Sequence, residues 1–210
     1  MKNLQKYFQW LYHQGAWSYD FVAGIVSLGN WYEWVCQVIP YVEGNRILEI
    51  GSGTGHLLEK LMIDGFHPIG VDHSYQMCML GRNRIKKLTK RQVVIRSEMN
   101  RMPFMDQYFD TIIVTFPTDE LFSGNTLMEV RRVLQRNGNL VILIGITVVG
   151  KSLIAKAMKI IYQITGEIID EHHHLDLIIK KIKNEGFQVN CIAVEVNWAR
   201  TYILQAHRMN

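Results

Sequence analysis

The 210-residue sequence lacks most features that mark secreted proteins, proteins with a structural metal site, and membrane-spanning proteins. Its three cysteines are widely spaced and form no C-x-x-C pair, so neither a disulfide framework nor a zinc site is predicted. The first residues show no signal-peptide pattern, and no apolar run reaches the roughly 20 residues of a membrane span. We therefore expect a reducing, cytoplasmic setting and no metal site.

Proline is scarce, with four residues, and the charge is not strongly one-sided, with a formal net charge of +4. Apolar residues make up 48% of the chain, which is typical of a globular domain with a full core. We predict a single domain over residues 1–210. It comprises a helical cap (1–40), a core (41–146) and a last part with helices and a C-terminal strand pair (147–210).

The clearest concentration of positive charge lies on one predicted helix and just beyond it (Arg82, Arg84, Lys86, Lys87, Lys90 and Arg91). A solvated helix face accounts for such a cluster, and an RNA-binding patch is the alternative. No appendage typical of RNA recognition accompanies it, so nucleic acid is not the expected partner.

The most informative stretch is a short apolar run, residues 46–50, followed by a glycine loop and then helical spacing from His56 onward. The loop consists of Gly51, Ser52, Gly53, Thr54 and Gly55. Alternate glycines let the backbone turn sharply and let a ligand approach the main chain. The pattern predicts strand, loop and helix around a nucleotide-type pocket.

The spacing and one acid narrow the choice of nucleotide. A dinucleotide fingerprint would place its third glycine at position 56, where this chain has His56. Glu49, at the mouth of the loop, would repel a pyrophosphate and favour an ammonium or a sulfonium. S-adenosylmethionine carries both groups. The loop resembles motif I of the class I S-adenosylmethionine-dependent methyltransferases.

A second acid, Asp72, ends the next predicted strand 21 residues after Gly51. Nucleotide-binding βαβ folds place a carboxylate at about this distance to hold the ribose hydroxyls, although an Asp there can also cap a helix. The resemblance implies further that His73 and Met77 flank the adenine. It implies that Glu98 stands where the family has an Asp that accepts a hydrogen bond from the adenine amino group, with Met99 beside it.

The N-terminal region, with Tyr19-Asp20, Ser27-Leu28-Gly29 and Trp34, resembles the ubiquinone/menaquinone-biosynthesis type of methyltransferase. In that family these helices cover the active site and help hold the acceptor, which implies that Tyr19 lines the acceptor pocket. The aromatic residues before position 18 allow two interpretations, a packed helical cap or a lid over an apolar acceptor. A peripheral membrane contact also stays open.

The fold implied is α/β: a Rossmann-like, doubly wound sheet of seven mostly parallel strands with an antiparallel last strand, plus the N-terminal helical cap. Periodicity predicts a helix from Trp31 to Ile39 that Pro40 stops, and a later helix that ends at Asn137-Gly138. The remaining strands are predicted at residues 91–96, 108–116, 139–146, 186–194 and 200–206.

Ligands of open α/β sheets lie beyond the carboxyl ends of the strands, so residues 115–119 should face the transferred methyl group. We predict Thr115 at the donor and Phe116 and Pro117 along the acceptor. Asp119 is a candidate proton acceptor or a helix cap. His172, His173 and His174 are consecutive and cannot converge on a metal ion. They open a predicted helix, and we expect one of them, His174, beside the acceptor as the second catalytic candidate.

These features predict an S-adenosylmethionine-dependent methyltransferase that acts on a small, apolar or aromatic molecule by in-line transfer. An RNA methyltransferase and a cofactor-binding but inactive regulatory subunit are the alternatives. The residues do not determine the acceptor, the methylated atom or the oligomeric state.

Overall fold

The computed structural model describes residues 27–149 and 171–209. These residues form seven strands: β1 Arg46–Ile50, β2 His67–Asp72, β3 Val94–Arg96, β4 Phe109–Thr115, β5 Leu134–Val148, β6 Phe187–Val196 and β7 Ala199–Arg208. The strands lie in one sheet in the order β3-β2-β1-β4-β5-β7-β6.

The strand directions follow the predicted pattern. Strands β1 to β5 pair with one another in parallel. Strand β7 runs antiparallel to both of its neighbours, β5 and β6. The predicted Rossmann-like, doubly wound fold with a reversed last strand is confirmed. The strand order changes direction between β1 and β4, and ligands of such sheets bind at the carboxyl ends beside that point.

Helices cover both faces of the sheet: α1 Trp31–Cys36, α2 His56–Ile63, α3 Tyr75–Ile85, α4 Gly124–Val133 and α5 Glu171–Asn184. Ile47 and Leu48, which are neighbours on β1, are both fully buried but join different clusters. Ile47 packs with residues of α1 and α2, whereas Leu48 packs with residues of α4 and α5. Alternate side chains of the parallel strands therefore supply two cores, which explains their almost continuous apolar sequence.

Two predicted boundaries, the end of the first helix and the start of the third strand, are wrong. The first helix ends at Cys36 instead of Ile39, where the N–H of Gln37 already bonds the carbonyl of Trp34. Pro40 lies inside a 3-10 turn, Ile39–Tyr41, because proline has the φ of a helical first turn and needs no donor there. The third strand starts at Val94 instead of residue 91, since pairing with β2 begins there.

The predicted end of the later helix at Asn137-Gly138 is also wrong. Helix α4 ends at Val133, whose carbonyl accepts a hydrogen bond of 2.9 Å from the N–H of Tyr108. Leu134 then pairs with Phe109 and begins β5. Asn137, with a φ of 61°, lies within an irregular part of this strand. Pairing with β4 thus outweighs the helical periodicity of the sequence.

Of the predicted helical cap, the structure describes α1 and the 3-10 turn; residues 1–26, with Tyr19, lie outside the described part. Asn30 occupies the position before α1, but the hydroxyl of Ser27 accepts the N–H of Trp31 there. Within residues 27–149 and 171–209, no helix is long and apolar enough to cross a membrane.

Candidate active site

A cleft of about 410 Å³ opens at the carboxyl ends of β1, β2 and β4. It contains all but one of the twelve predicted cofactor residues: Glu49, Gly51, Ser52, Gly53, Thr54, Asp72, His73, Met77, Glu98, Met99 and Thr115. The predicted acceptor residues Phe116 and Pro117 line it as well. The structure therefore brings these predicted residues together along one continuous cleft.

The glycine loop has the backbone form that its composition predicts. Gly51, Gly53 and Gly55 all adopt positive φ, at 73°, 51° and 81°, where L side chains are strained. A Cβ on Gly55 would lie 3.0 Å from the Cα of Gly81. Gly55 does not line the cleft. Its lack of a side chain allows α2 and α3 to pack closely at this point.

Asp72 joins the end of β2 to the loop. Its Oδ2 accepts a hydrogen bond of 2.9 Å from the N–H of Gly53, and its Oδ1 accepts one of 2.8 Å from the N–H of Ser74. Burial raises the pKa of Asp72, and these two backbone bonds oppose that rise. Each carboxylate oxygen has a second lone pair, so the side chain can still accept ribose hydroxyls.

Glu49 is a buried acid with unmet hydrogen-bonding capacity. The residue is 3% exposed, and its Oε2 has no hydrogen-bond partner in the part of the chain that the structure describes. Burial, and then the charge of Asp72, raise the pKa of Glu49 well above its ordinary value. A ligand cation placed against Oε2 would relieve both effects. The site thus fits the ammonium-bearing end of S-adenosylmethionine.

The opposite end of the cleft carries the residues predicted to hold adenine. Met77 is buried, and Met99 lies on the loop after β3. The Nδ1 of His73 lies 2.9 Å from Oε1 of Glu98. The N–H of Ser97 bonds the carbonyl of Asp72, which ties this loop to the residue predicted to hold the ribose.

The side of the cleft that the sequence predicts to hold the acceptor is aromatic. The rings of Trp31 and Phe116 stack with their centroids 4.5 Å apart and an interplanar angle of 28°. Phe116 has a φ of 50°, a strained conformation for a bulky residue. Such strain is typical of functional sites.

Of the two predicted catalytic candidates, Asp119 does not line the cleft. Asp119 opens a 3-10 turn, Asp119–Phe122, and it is the next residue, Glu120, that lines the cleft. The side chain of His174 lies outside the described part of the chain. Trp31, His56 and Glu120 also line the cleft and were not predicted from the sequence; only His56, directly after Gly55, carried a positional signal.

The basic cluster includes two structural residues. Arg84 Nε donates a 2.8 Å hydrogen bond to the carbonyl of Thr54 in the glycine loop, and Arg82 Nε donates one of 3.0 Å to the carbonyl of Val94. Among the described residues, no three potential ligands lie together as a metal site would require.

Residues 47–138 match a protein family described as a methyltransferase domain. The chain resembles the class I S-adenosylmethionine-dependent methyltransferases. Curated relatives support the predicted type. A ubiquinone/menaquinone biosynthesis C-methyltransferase of Geotalea uraniireducens is 28% identical over 134 residues, which are 60% of this chain and 57% of that protein. A demethylmenaquinone methyltransferase of Thermotoga maritima is 28% identical over 204 residues, 86% and 87% of the two chains.

Solved structures show the same fold. An S-adenosylmethionine-dependent methyltransferase of Aquifex aeolicus has a TM-score of 0.58 at 21% identity, covering 84% of this chain and 88% of that one. A Haemonchus contortus phosphoethanolamine N-methyltransferase, bound to S-adenosylhomocysteine, has a TM-score of 0.62 at 15% identity. The match covers 87% of this chain and 53% of that one. These comparisons agree with the predicted resemblance to the class I S-adenosylmethionine-dependent methyltransferases. This chain spans just over half of the Geotalea relative.

Proposed function

We propose that this chain transfers a methyl group from S-adenosylmethionine to a small, flat, aromatic acceptor such as a reduced quinone. One observation carries the proposal: the cleft continues from the nucleotide-type half, past Thr115, to the aromatic wall of Trp31 and Phe116. A flat ring would find there a stacking surface next to the donor methyl.

In the donor half, each polar group has a distinct role. Glu49 would bind the ammonium of the donor, Asp72 the ribose hydroxyls and Glu98 the adenine amino group. Met77 and Met99 would contact the faces of the base. The glycine loop brings backbone N–H groups close to the ligand, because no Cβ stands in the way at Gly51 or Gly53.

The donor supplies a methyl group on a sulfonium, and the electron pair of the broken carbon–sulfur bond stays on sulfur. The residues of the cleft hold the acceptor atom in line with that bond and exclude water, and positioning of this kind is the main source of rate. The acceptor's proton must also leave. Glu120 lines the cleft and is better placed than its neighbour Asp119 to accept it.

The acceptor class rests on two supports. The relatives carry names that specify demethylmenaquinone or quinone biosynthesis, and this chain has the stacked aromatic wall that a quinone ring would need. A cytoplasmic setting is consistent with three free thiols, Cys36, Cys78 and Cys191. A peripheral membrane contact remains a prediction of the sequence.

The direct test incubates the purified chain with methyl-labelled S-adenosylmethionine and a panel: a reduced demethylated naphthoquinone, a simple phenol, phosphoethanolamine and RNA. We expect label in the naphthoquinol and little in phosphoethanolamine. Transfer to RNA, with binding that weakens steeply with salt, would replace the proposal with an RNA methyltransferase. Tight S-adenosylhomocysteine binding without transfer to any compound would indicate a regulatory subunit.

A further inference from the structure

The side chains of His73 and Glu98 form a contact that the general cofactor site does not require. Nδ1 of His73 and Oε1 of Glu98 are 2.9 Å apart, although each side chain is more than half exposed. Both residues line the cleft. Exposed pairs of this kind contribute little to stability, so the contact calls for a different explanation.

His73 has a firmly held backbone. Its carbonyl accepts a hydrogen bond of 2.9 Å from Nε of Arg96. The flanking Asp72 bonds Gly53 and Ser74, and Ser74 caps α3 by accepting the N–H of Met77. The imidazole therefore projects from a fixed point, whereas the Glu98 side chain has an additional rotatable bond compared with Asp and loses more entropy when it is ordered.

The contact leaves one carboxylate oxygen of Glu98 available. Oε1 takes the hydrogen bond with His73, and within the described residues no side chain bonds Oε2. A carboxylate fixed in this way can accept a hydrogen bond from a ligand N–H but repels a ligand carbonyl.

We propose that His73 is a positioning residue that fixes Glu98 so that the pair selects a 6-amino purine over a 6-oxo purine. In this arrangement the Nδ1–H of His73 donates to Oε1, and Oε2 receives the amino group of the base. The inference rests on the proposed function, since it concerns the donor's adenine.

The probes are S-adenosylhomocysteine and S-inosylhomocysteine, whose affinities are measured by calorimetry for the same protein. A hydrogen bond to a charged group predicts that the intact chain prefers the adenosyl ligand by about tenfold to a hundredfold. His73→Ala should reduce this preference by about fivefold or more, while His73→Asn, whose amide N–H lies near the position of Nδ1, should restore most of it. His67→Ala, at an exposed histidine that begins β2, is the matched control and should change nothing.

The decisive comparison measures His73→Ala in a protein that also carries Glu98→Asp. The shorter carboxylate withdraws from His73, so His73→Ala should no longer alter the preference in that background. An unchanged preference in His73→Ala, or an equal loss in both backgrounds, would overturn the inference while leaving the donor site intact. Failure of the intact chain to bind S-adenosylhomocysteine would remove the proposed function and this inference together.

Discussion

Oδ2 of Asp72 accepts a 2.9 Å hydrogen bond from the backbone N–H of Gly53. The contact joins two residues that the sequence separates, the acid at the end of β2 and the middle glycine of the loop after β1. The group proposed to hold the ribose therefore also fixes the loop that a ligand must approach. Loss of Asp72 should weaken donor binding through both effects.

Glu49→Gln should stabilise the ligand-free protein while weakening its affinity for S-adenosylhomocysteine by about tenfold or more. Burial raises the pKa of Glu49, so ionising it costs folding free energy, and this cost grows as the pH rises above the ordinary value of 4.5. Each kcal/mol relieved should add about 2–4 °C to the melting temperature. The gain in melting temperature from Glu49→Gln should be larger at about pH 8 than at about pH 5. A gain independent of pH would contradict the assigned cause.

Arg132→Met should release the loop that carries Glu98 and Met99. The guanidinium bonds the carbonyls of Met102 and Phe104 and the carboxylates of Asp106 and Glu129. The two carboxylates also raise the pKa of Arg132.

We expect Arg132→Met to lower the free energy of unfolding by about 2 kcal/mol and to weaken S-adenosylhomocysteine binding severalfold. Arg132→Lys should recover less than half of each loss, because an ammonium cannot reproduce the planar fork. Chemical denaturation and calorimetry measure the two effects. Arg136→Met, at an exposed position four residues on, should leave both unchanged; a similar loss there would argue against the clamp.

Phe116→Gly should be more stable than Phe116→Ala, which is the reverse of the usual order for these two residues. Both remove the ring that stacks on Trp31, but only glycine relieves the φ of 50°. The glycine variant should therefore be more stable by about 1 kcal/mol, as denaturant titration would show. Both variants should raise the acceptor KM and leave S-adenosylhomocysteine affinity within about twofold. A large loss of that affinity would place Phe116 in the donor site instead.

The donor half of the cleft was predictable because its determinants are local. Residues 46–55 encode a buried strand, a loop with positive φ and a helix start, and the distance to Asp72 follows from one βαβ unit. The acceptor half was harder to predict from the sequence. The Trp31–Phe116 stack joins distant segments, and the choice between Asp119 and Glu120 depends on the 3-10 turn, which periodicity does not reveal.

The boundary errors have a similar origin. The helical spacing of apolar residues continues in the sequence past Val133. The residues that follow nevertheless pair with β4 and belong to β5. The bonds from Arg132 to the loop after β3 span 26 to 30 residues of sequence and have no local pattern. Tertiary contacts, rather than propensity, decide such features.

Calorimetry with S-adenosylhomocysteine tests most directly whether the glycine loop and Asp72 bind S-adenosylmethionine. The intact chain should bind, and Asp72→Ala and Gly53→Val should each lose about tenfold or more. Gly65→Val is the matched control, since Gly65 has a φ of 90° and lies outside the cleft. It should retain the affinity of the intact chain. Unchanged affinity in both Asp72→Ala and Gly53→Val would contradict the assignment of the cofactor site.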